Sequence, residues 1–299
     1  MTKIKAWVSA ARLRTLPLSI SGIIVGSSLG NNDFFNTKIF WLAIATTLGL
    51  QILSNFANDY GDGVKGTDNE DRVGPTRALQ SGVISKKEMF KGIVITSIIA
   101  LLFAITLIYV SFGAAHFLYS LVFFVLGITA IAAAIKYTVG KTAYGYRGLG
   151  DVFVFIFFGL VSVVGCYFLY TKTLNILVVL PAITIGLLST AVLNLNNMRD
   201  YESDKKSNKN TLVVKIGVSK ARKYHFSLIV VAMITILSFS ILKYSSPINL
   251  LFLVAFIPLS IHLKKVKDTN DTKLLDPELK KVALTTFLLA ILFSLGQIL

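Results

Sequence analysis

Long apolar runs, rather than alternation, set the pattern of this chain. Nine stretches are predominantly hydrophobic: 16–31, 38–57, 91–112, 115–135, 151–170, 174–195, 225–243, 247–263 and 282–299. A helix crosses a bilayer core with about 20 apolar residues. A membrane β-barrel shows segments of roughly 10 residues alternating in polarity, and soluble elements alternate at helical or strand period. Neither pattern is present. The expected fold class is all-α integral membrane, a nine-helix transmembrane bundle in the lipid bilayer. The first run is short, starts near Pro17 and follows basic residues, as a cleavable signal peptide does. Eight further apolar segments already supply membrane targeting and favour a retained helix. The longest gap, 58–90, is too short for a soluble domain, so residues 1–299 are expected to form one membrane domain.

Composition agrees, with 54% hydrophobic residues and a mean hydropathy of +0.71. The single cysteine, Cys166, lies in an apolar run and excludes an intramolecular disulfide or a Cys-based metal site. His116, His225 and His262 fall at separate predicted helix ends, which suggests interfacial residues and no zinc or haem site.

The net charge of +15 raises nucleic acid as a partner, but no aromatic interleaving or binding module supports that. Topology accounts for the charge instead. With a cytoplasmic N-terminus and nine alternating spans, 27 of the 30 Lys and Arg fall on the cytoplasmic side. Lys38, Lys172 and Lys243 are the other three. This is a strong positive-inside bias, and it puts the C-terminus outside. The acidic residues gather on the same side, with Asp33 the exception. The positive-inside rule does not explain them.

They form two clusters. The first runs from Asn55 to Arg72 at the end of the second span. If the helix continues, Asn55, Asp59 and Asp62 share a face, and Asn58 and Asp62 lie one turn apart. The second follows the sixth span, where Asn197, Asp200 and Asp204 share a face. Carboxylates at a membrane boundary are costly unless paired or ligating. If the two helix ends meet, the carboxylates converge and require a cation. Hard oxygen ligands that leave room for substrate phosphates suit Mg²⁺. Lys65, Arg72, Arg77, Lys141, Arg147, Lys205 and Lys209 lie nearby and suit phosphate oxygens. Such a site, under an apolar bundle, fits a lipid diphosphate. Solvated capping loops are the plain alternative. A cation-coupled transporter is another, but it would carry charge at mid-membrane, and the centres of these spans have none.

At these motifs the chain resembles the UbiA superfamily of membrane prenyltransferases. Asn58, Asp59 and Asp62 match its first motif, Asp200 and Asp204 its second. One departure is Gly66, where the family carries an Asp; Asp68 stands two residues on. The stretches around Asn55–Asp68, Asp71–Arg77, Tyr144–Asp151 and Asn196–Asp200 look like the dihydroxynaphthoate branch of menaquinone synthesis. The resemblance implies transfer of a prenyl group from polyprenyl diphosphate to an aromatic acid acceptor in a bacterial cell membrane, with Mg²⁺. It also leaves room for hydroxybenzoate, homogentisate or a porphyrin as acceptor. On this basis Asp59, Asp62, Asp200 and Asp204 are expected to hold metal, with Asn55, Asn58 and Asn197 in support. Lys65, Arg72, Arg77, Lys141, Lys205 and Lys209, with Asn58, are expected to contact diphosphate. Tyr60 and Tyr137 are candidates to shield an allylic cation. The acceptor carboxylate is expected on Arg147 or Arg14. Asp151 is either a helix cap or a site residue.

Overall fold

The computed structural model describes residues 2–68, 74 and 76–299. Among these, nine helices are long and apolar enough to span a membrane. They are α1 (Lys3–Gly30), α2 (Lys38–Lys65), α3 (Lys86–Phe112), α4 (Phe117–Lys136), α5 (Gly150–Thr171), α6 (Ile176–Arg199), α7 (Val218–Leu242), α8 (Pro247–Asp268) and α9 (Thr272–Ile298). The protein is an all-helical integral membrane protein. Several helices begin or end outside the apolar runs, because their polar turns continue beyond the hydrocarbon. At about 1.5 Å per residue, the 28 residues of α2 reach about 42 Å, against a core of about 30 Å. The last turns of α2, which carry Asp59 and Asp62, therefore project toward the interface.

Local sequence fixes where the chain bends. Helix α1 breaks at Arg12, which takes a left-handed φ of 50°. A 3₁₀ turn over Leu13–Thr15 follows, and Pro17 lies in the first turn of the next helical segment, which starts at Leu16. Proline fits a first turn because its missing N–H would have no partner there. The break places Arg12 and Arg14 at a corner. Thr37 caps the start of α2, and Gly66 ends it with φ 74°, a conformation that a side chain disfavours. That is the physical reason for glycine where the resembling family carries an acid. Helix α6 stops at Arg199. Asp200 forms the joint to a short helix, Tyr201–Lys206, and its carbonyl accepts from the Asp204 N–H at 2.8 Å.

Helix α2 packs against α3, α6 against α5 and α7, and α9 against α1 and α8. One core is built around Ile185, Ile236, Phe252 and Phe293, and another around Leu53, Ala57, Ile84 and Met89. The outer faces expose Ile95, Leu102, Leu121, Val125, Ile234 and Ile257. An apolar surface of this extent is stable against lipid rather than water. Helix α5 is π-helical from Phe155 to Val164, a rare geometry that concentrates at functional sites.

The histidines correct the sequence reading. His225 and His262 are buried, not interfacial, and their Nε2 atoms approach to 2.8 Å. His262 Nδ1 lies 2.7 Å from Glu278 Oε2, and Lys281 donates to Glu278 at 2.6 Å. This chain of hydrogen bonds ties α7 and α8 to the first turns of α9. A separation of 37 residues on two apolar helices hides it from the sequence.

Close packing of α5 on α6 depends on Gly159. A Cβ there would lie 2.6 Å from the Ala182 carbonyl oxygen and 2.7 Å from the Gly186 Cα. Gly159→Val is expected to cost about 1–3 kcal/mol through overpacking, seen as a lower Tm in detergent. Gly127→Ala, where the nearest neighbour is 3.8 Å away, is expected to leave Tm unchanged.

Candidate active site

The ends of α2 and α6 meet, and the chain's own cations fill the space between their carboxylates. Lys209 Nζ lies 3.1 Å from Asp62 Oδ2 and 3.9 Å from Asp204 Oδ1. Asp62 also accepts from the Tyr146 hydroxyl at 2.8 Å, and that hydroxyl lies 2.6 Å from Thr67 Oγ1. Asp59 accepts from Arg12 Nη2 at 2.5 Å and faces Arg77 Nε at 3.6 Å. Arg77 Nε is 3.8 Å from Asp68 Oδ1, so Asp68 joins the first cluster from beyond the glycine cap. Asp200 takes two hydrogen bonds from Arg199, at 2.8 and 2.6 Å. Arg199 also donates to Asp276 at the start of α9, at 2.6 Å. Asp59, Asp62, Asp200 and Asp204 are all buried, and an unpaired charge there would be severely unfavourable.

The electrostatics outside the spans follow from this crowding. Burial, with Asp200 and Asp62 nearby, pushes the Asp204 carboxyl up to about 7 against the pull of Lys209. Lys209 is held strongly protonated, because Asp62 and Asp204 outweigh its burial. Burial is the main cause that lowers Arg77, to about 10, with Arg12 adding to it. Burial also raises the Tyr137 phenol to about 12.

Below this polar layer lies a cavity of about 930 Å³, within the range of small-molecule sites. Asn55, Asn58, Asp62, Arg77, Tyr137 and Lys209 line its polar end. Phe157, Phe158, Cys166 and Leu169 line the apolar part. Asn55 is committed in part to structure, since its amide donates to the Ala11 carbonyl at 2.9 Å. Asn58 Oδ1 accepts from Thr138 at 3.3 Å. Asn197 is buried on α6 but is not part of the cavity wall. Asp59 instead borders a smaller space of about 270 Å³ beside Arg12, Arg14 and Arg77.

The remaining sequence candidates divide. Lys65 donates to the Thr138 carbonyl at 2.8 Å and sits 3.8 Å over the Tyr146 ring. Lys141, Lys205 and Arg147 are exposed and do not border either space; the Arg147 carbonyl accepts from Lys215 at 2.6 Å. Tyr60 packs beside Phe90 on α3. Asp151 is buried in the first turn of α5, not at its cap position. Arg72 lies outside the described residues. Sequence reasoning missed Arg12, Thr138, Tyr146, Arg199 and Asp276. Arg12 counts among the basic residues before the first apolar run, where it reads as a topology signal. Arg199 adjoins Asp200, so its role was open to reading from spacing.

Among the described residues no three acidic, His or Cys side chains converge closely enough to hold a metal by themselves. Two buried carboxylates from separate helices do converge on the single ammonium of Lys209. That donor set fits a hard cation whose other ligands come from water and a diphosphate, the habit of Mg²⁺.

Comparison with known proteins places this architecture. The UbiA prenyltransferase family profile matches residues 19–276. The chain is 44% identical over 297 residues to a 1,4-dihydroxy-2-naphthoate octaprenyltransferase of Haemophilus influenzae, covering 98% of this chain and 96% of that protein. Identity to the Escherichia coli protein of the same name is 42% over 298 residues, covering 99% and 96%. A UbiA homologue from Archaeoglobus fulgidus, solved with DMAPP and Mg²⁺, superposes with a TM-score of 0.71 at 14% identity over 98% of this chain and 99% of that one. Digeranylgeranylglyceryl phosphate synthase superposes with a TM-score of 0.62 at 21% identity, covering 100% and 99%.

The raised Asp204 carboxyl makes the stability of the fold depend on pH. In the unfolded chain its proton leaves near 3.8, and in the fold near 7. Its ionisation therefore destabilises the fold increasingly as pH rises from about 4 to 7. Asp204→Asn is expected to raise Tm in detergent at pH 8, with the gain shrinking as pH falls below 7. Thermal melts across pH check both statements.

Proposed function

Because this chain belongs to the UbiA prenyltransferase family, we propose that it transfers a polyprenyl group from polyprenyl diphosphate to 1,4-dihydroxy-2-naphthoate. The near full-length identity to enzymes of that name supports this acceptor over hydroxybenzoate, homogentisate or a porphyrin. The observation that carries the chemistry is the convergence of Asp62 and Asp204 on one half-buried cation, at the polar end of an apolar cavity. The whole chain acts as one domain in the bacterial cell membrane. Its N-terminus and polar end face the cytoplasm and its C-terminus lies outside, as the distribution of Lys and Arg favours.

Asp59, Asp62, Asp200 and Asp204 would hold Mg²⁺, with Asn58 and Asn197 in support. When bound, the metal neutralises charge developing on the departing diphosphate. The chain's own residues do the rest. Lys209, Arg77 and Arg12 are positioned to take phosphate oxygens once the carboxylates find another cation. Lys65, over the Tyr146 ring, adds positive charge beside them. Lys141 and Lys205, exposed outside the cavity, would act only as outer contacts, and Arg72 would add positive charge from the segment after α2.

The allylic carbon–oxygen bond breaks, with both electrons passing to diphosphate. The apolar wall of Phe157 and Phe158 excludes water, and the Tyr137 ring flanks the polar end, where it can face the allylic cation. Burial keeps the Tyr137 phenol protonated, so it does not compete as a nucleophile. The electron-rich ring carbon that bears the carboxylate bonds to the allylic carbon. The bond to the carboxylate then breaks, its electrons return to the ring, and carbon dioxide leaves. No proton needs to be removed from that carbon. Oxidation of the quinol product gives demethylmenaquinone.

The experiment is prenyl transfer by the purified protein, with radiolabelled polyprenyl diphosphate, Mg²⁺ and each candidate acid in turn. The expected result is a prenylated naphthoquinol from dihydroxynaphthoate alone, abolished by EDTA and restored by Mg²⁺. Asp59→Ala and Asp200→Ala are expected to abolish transfer; folded protein is still recovered, with a lower Tm because Arg12 and Arg199 each lose a partner. Absence of any prenylated product would favour a transporter and contradict the reading.

A further inference from the structure

The cavity mouth also holds charge that the diphosphate site does not use. Six basic side chains on its wall come from the corner of α1, from the end of α6 and the segment after it, and from the start of α9: Arg12, Arg14, Arg199, Lys209, Lys280 and Lys281. Four are committed to acids. Arg12 pairs with Asp59, Arg199 with Asp200 and Asp276, Lys209 with Asp62 and Asp204, and Lys281 with Glu278. Arg77, also on the wall, faces Asp59 and Asp68. Arg14 and Lys280 make no ion pair or side-chain hydrogen bond with any described residue, and both are exposed where they border the cavity.

Their placement is built by the fold. Arg14 sits in the 3₁₀ turn that follows the left-handed Arg12. Thr15 braces that turn by donating to the Arg12 carbonyl at 2.9 Å and accepting from Gln51 at 3.3 Å. The turn packs against α9, which carries Lys280. Leu18, Leu279 and Ala283 border the same cavity from these two helices.

We propose that Arg14 and Lys280 form the subsite for the carboxylate of the aromatic acceptor, with its ring on the apolar surface of α1 and α9. This deepens the functional reading above and rests on it for the acceptor's identity. Two uncommitted positive charges beside apolar wall suit a flat ring with one anionic end. Arg147, the other sequence candidate, is exposed away from the cavity wall and is replaced in this role. The subsite also has a consequence for turnover. Decarboxylation removes the very group that these cations hold, so the product loses its anchor in the step that forms it.

The test measures acceptor and donor separately in purified wild type, Arg14→Gln, Lys280→Gln and Arg14→Lys. Both Gln variants are expected to raise KM for dihydroxynaphthoate about 10- to 100-fold, the range for losing a hydrogen bond to a charged group. KM for polyprenyl diphosphate is expected to stay within about twofold under the same argument. Arg14→Lys, which keeps the charge, is expected to recover part of the loss. Direct binding of 1-hydroxy-2-naphthoate and of 1-naphthol, which lacks the carboxylate, provides a second readout. Wild type is expected to prefer the acid, and the Gln variants to lose that preference while binding 1-naphthol as before. Unchanged acceptor KM and unchanged preference would overturn the subsite. A rise in KM for the diphosphate instead would also overturn it, by moving these cations to the donor. A wild type inactive on dihydroxynaphthoate that still binds 1-hydroxy-2-naphthoate through Arg14 would overturn the functional reading and uphold the subsite.

Discussion

The structure depends on keeping buried carboxylates neutralised at the edge of a membrane. Asp62 and Asp204 share Lys209, Asp59 is held by Arg12 with Arg77 alongside, and Asp200 is gripped by Arg199. Each pair joins separate segments or stiffens a helix end. Lys209 binds the end of α2 to the segment after α6. Arg12 binds the corner of α1 to α2. Arg199 reaches on to Asp276 and so fixes the start of α9. Charges of this kind contribute little net stability, because desolvation offsets their attraction. Their effect is to fix one arrangement, since leaving any of them unpaired is strongly unfavourable.

That arrangement bears on function through its incomplete balance. Asp204 is disfavoured as a carboxylate despite Lys209, so this corner of the site still wants positive charge. A divalent cation bound there would supply it and would leave Lys209, Arg77 and Arg12 free for phosphate oxygens. The apolar cavity beneath offers a prenyl tail the environment of the bilayer itself. The polar end thus suits a charged head and the bundle a greasy tail, and on the proposed subsite the aromatic acceptor would approach from the side of α1 and α9.

Much of this was legible in the sequence. Nine apolar runs correspond to the nine spans among the described residues, because hydrocarbon thickness sets helix length directly. Asn55, Asp59 and Asp62 lie on a helix that continues to Lys65, as their spacing implied. Helix ends were less legible, since polar turns outside the hydrocarbon carry no hydropathy signal; α9 starts ten residues before its apolar run. Pairings were hidden for a different reason. Asp62 and Lys209 are 147 residues apart, and only the bundle's packing brings them together. Arg12 looked like an ordinary topology signal and Arg14 was only one of two candidates for the acceptor carboxylate, because nothing local separates a basic residue that orients a helix from one that lines a cavity. The same limit concealed His225 and His262.

If the two acidic clusters act on one metal–diphosphate site, both must contribute to metal binding. The most direct test is Mn²⁺ binding to purified protein by electron paramagnetic resonance, in the presence of an unreactive prenyl thiodiphosphate. The wild type is predicted to immobilise Mn²⁺, and Asp62→Asn and Asp204→Asn, one from each cluster, are each predicted to weaken that binding severely. Undiminished Mn²⁺ binding in either variant would contradict a site shared between the ends of α2 and α6.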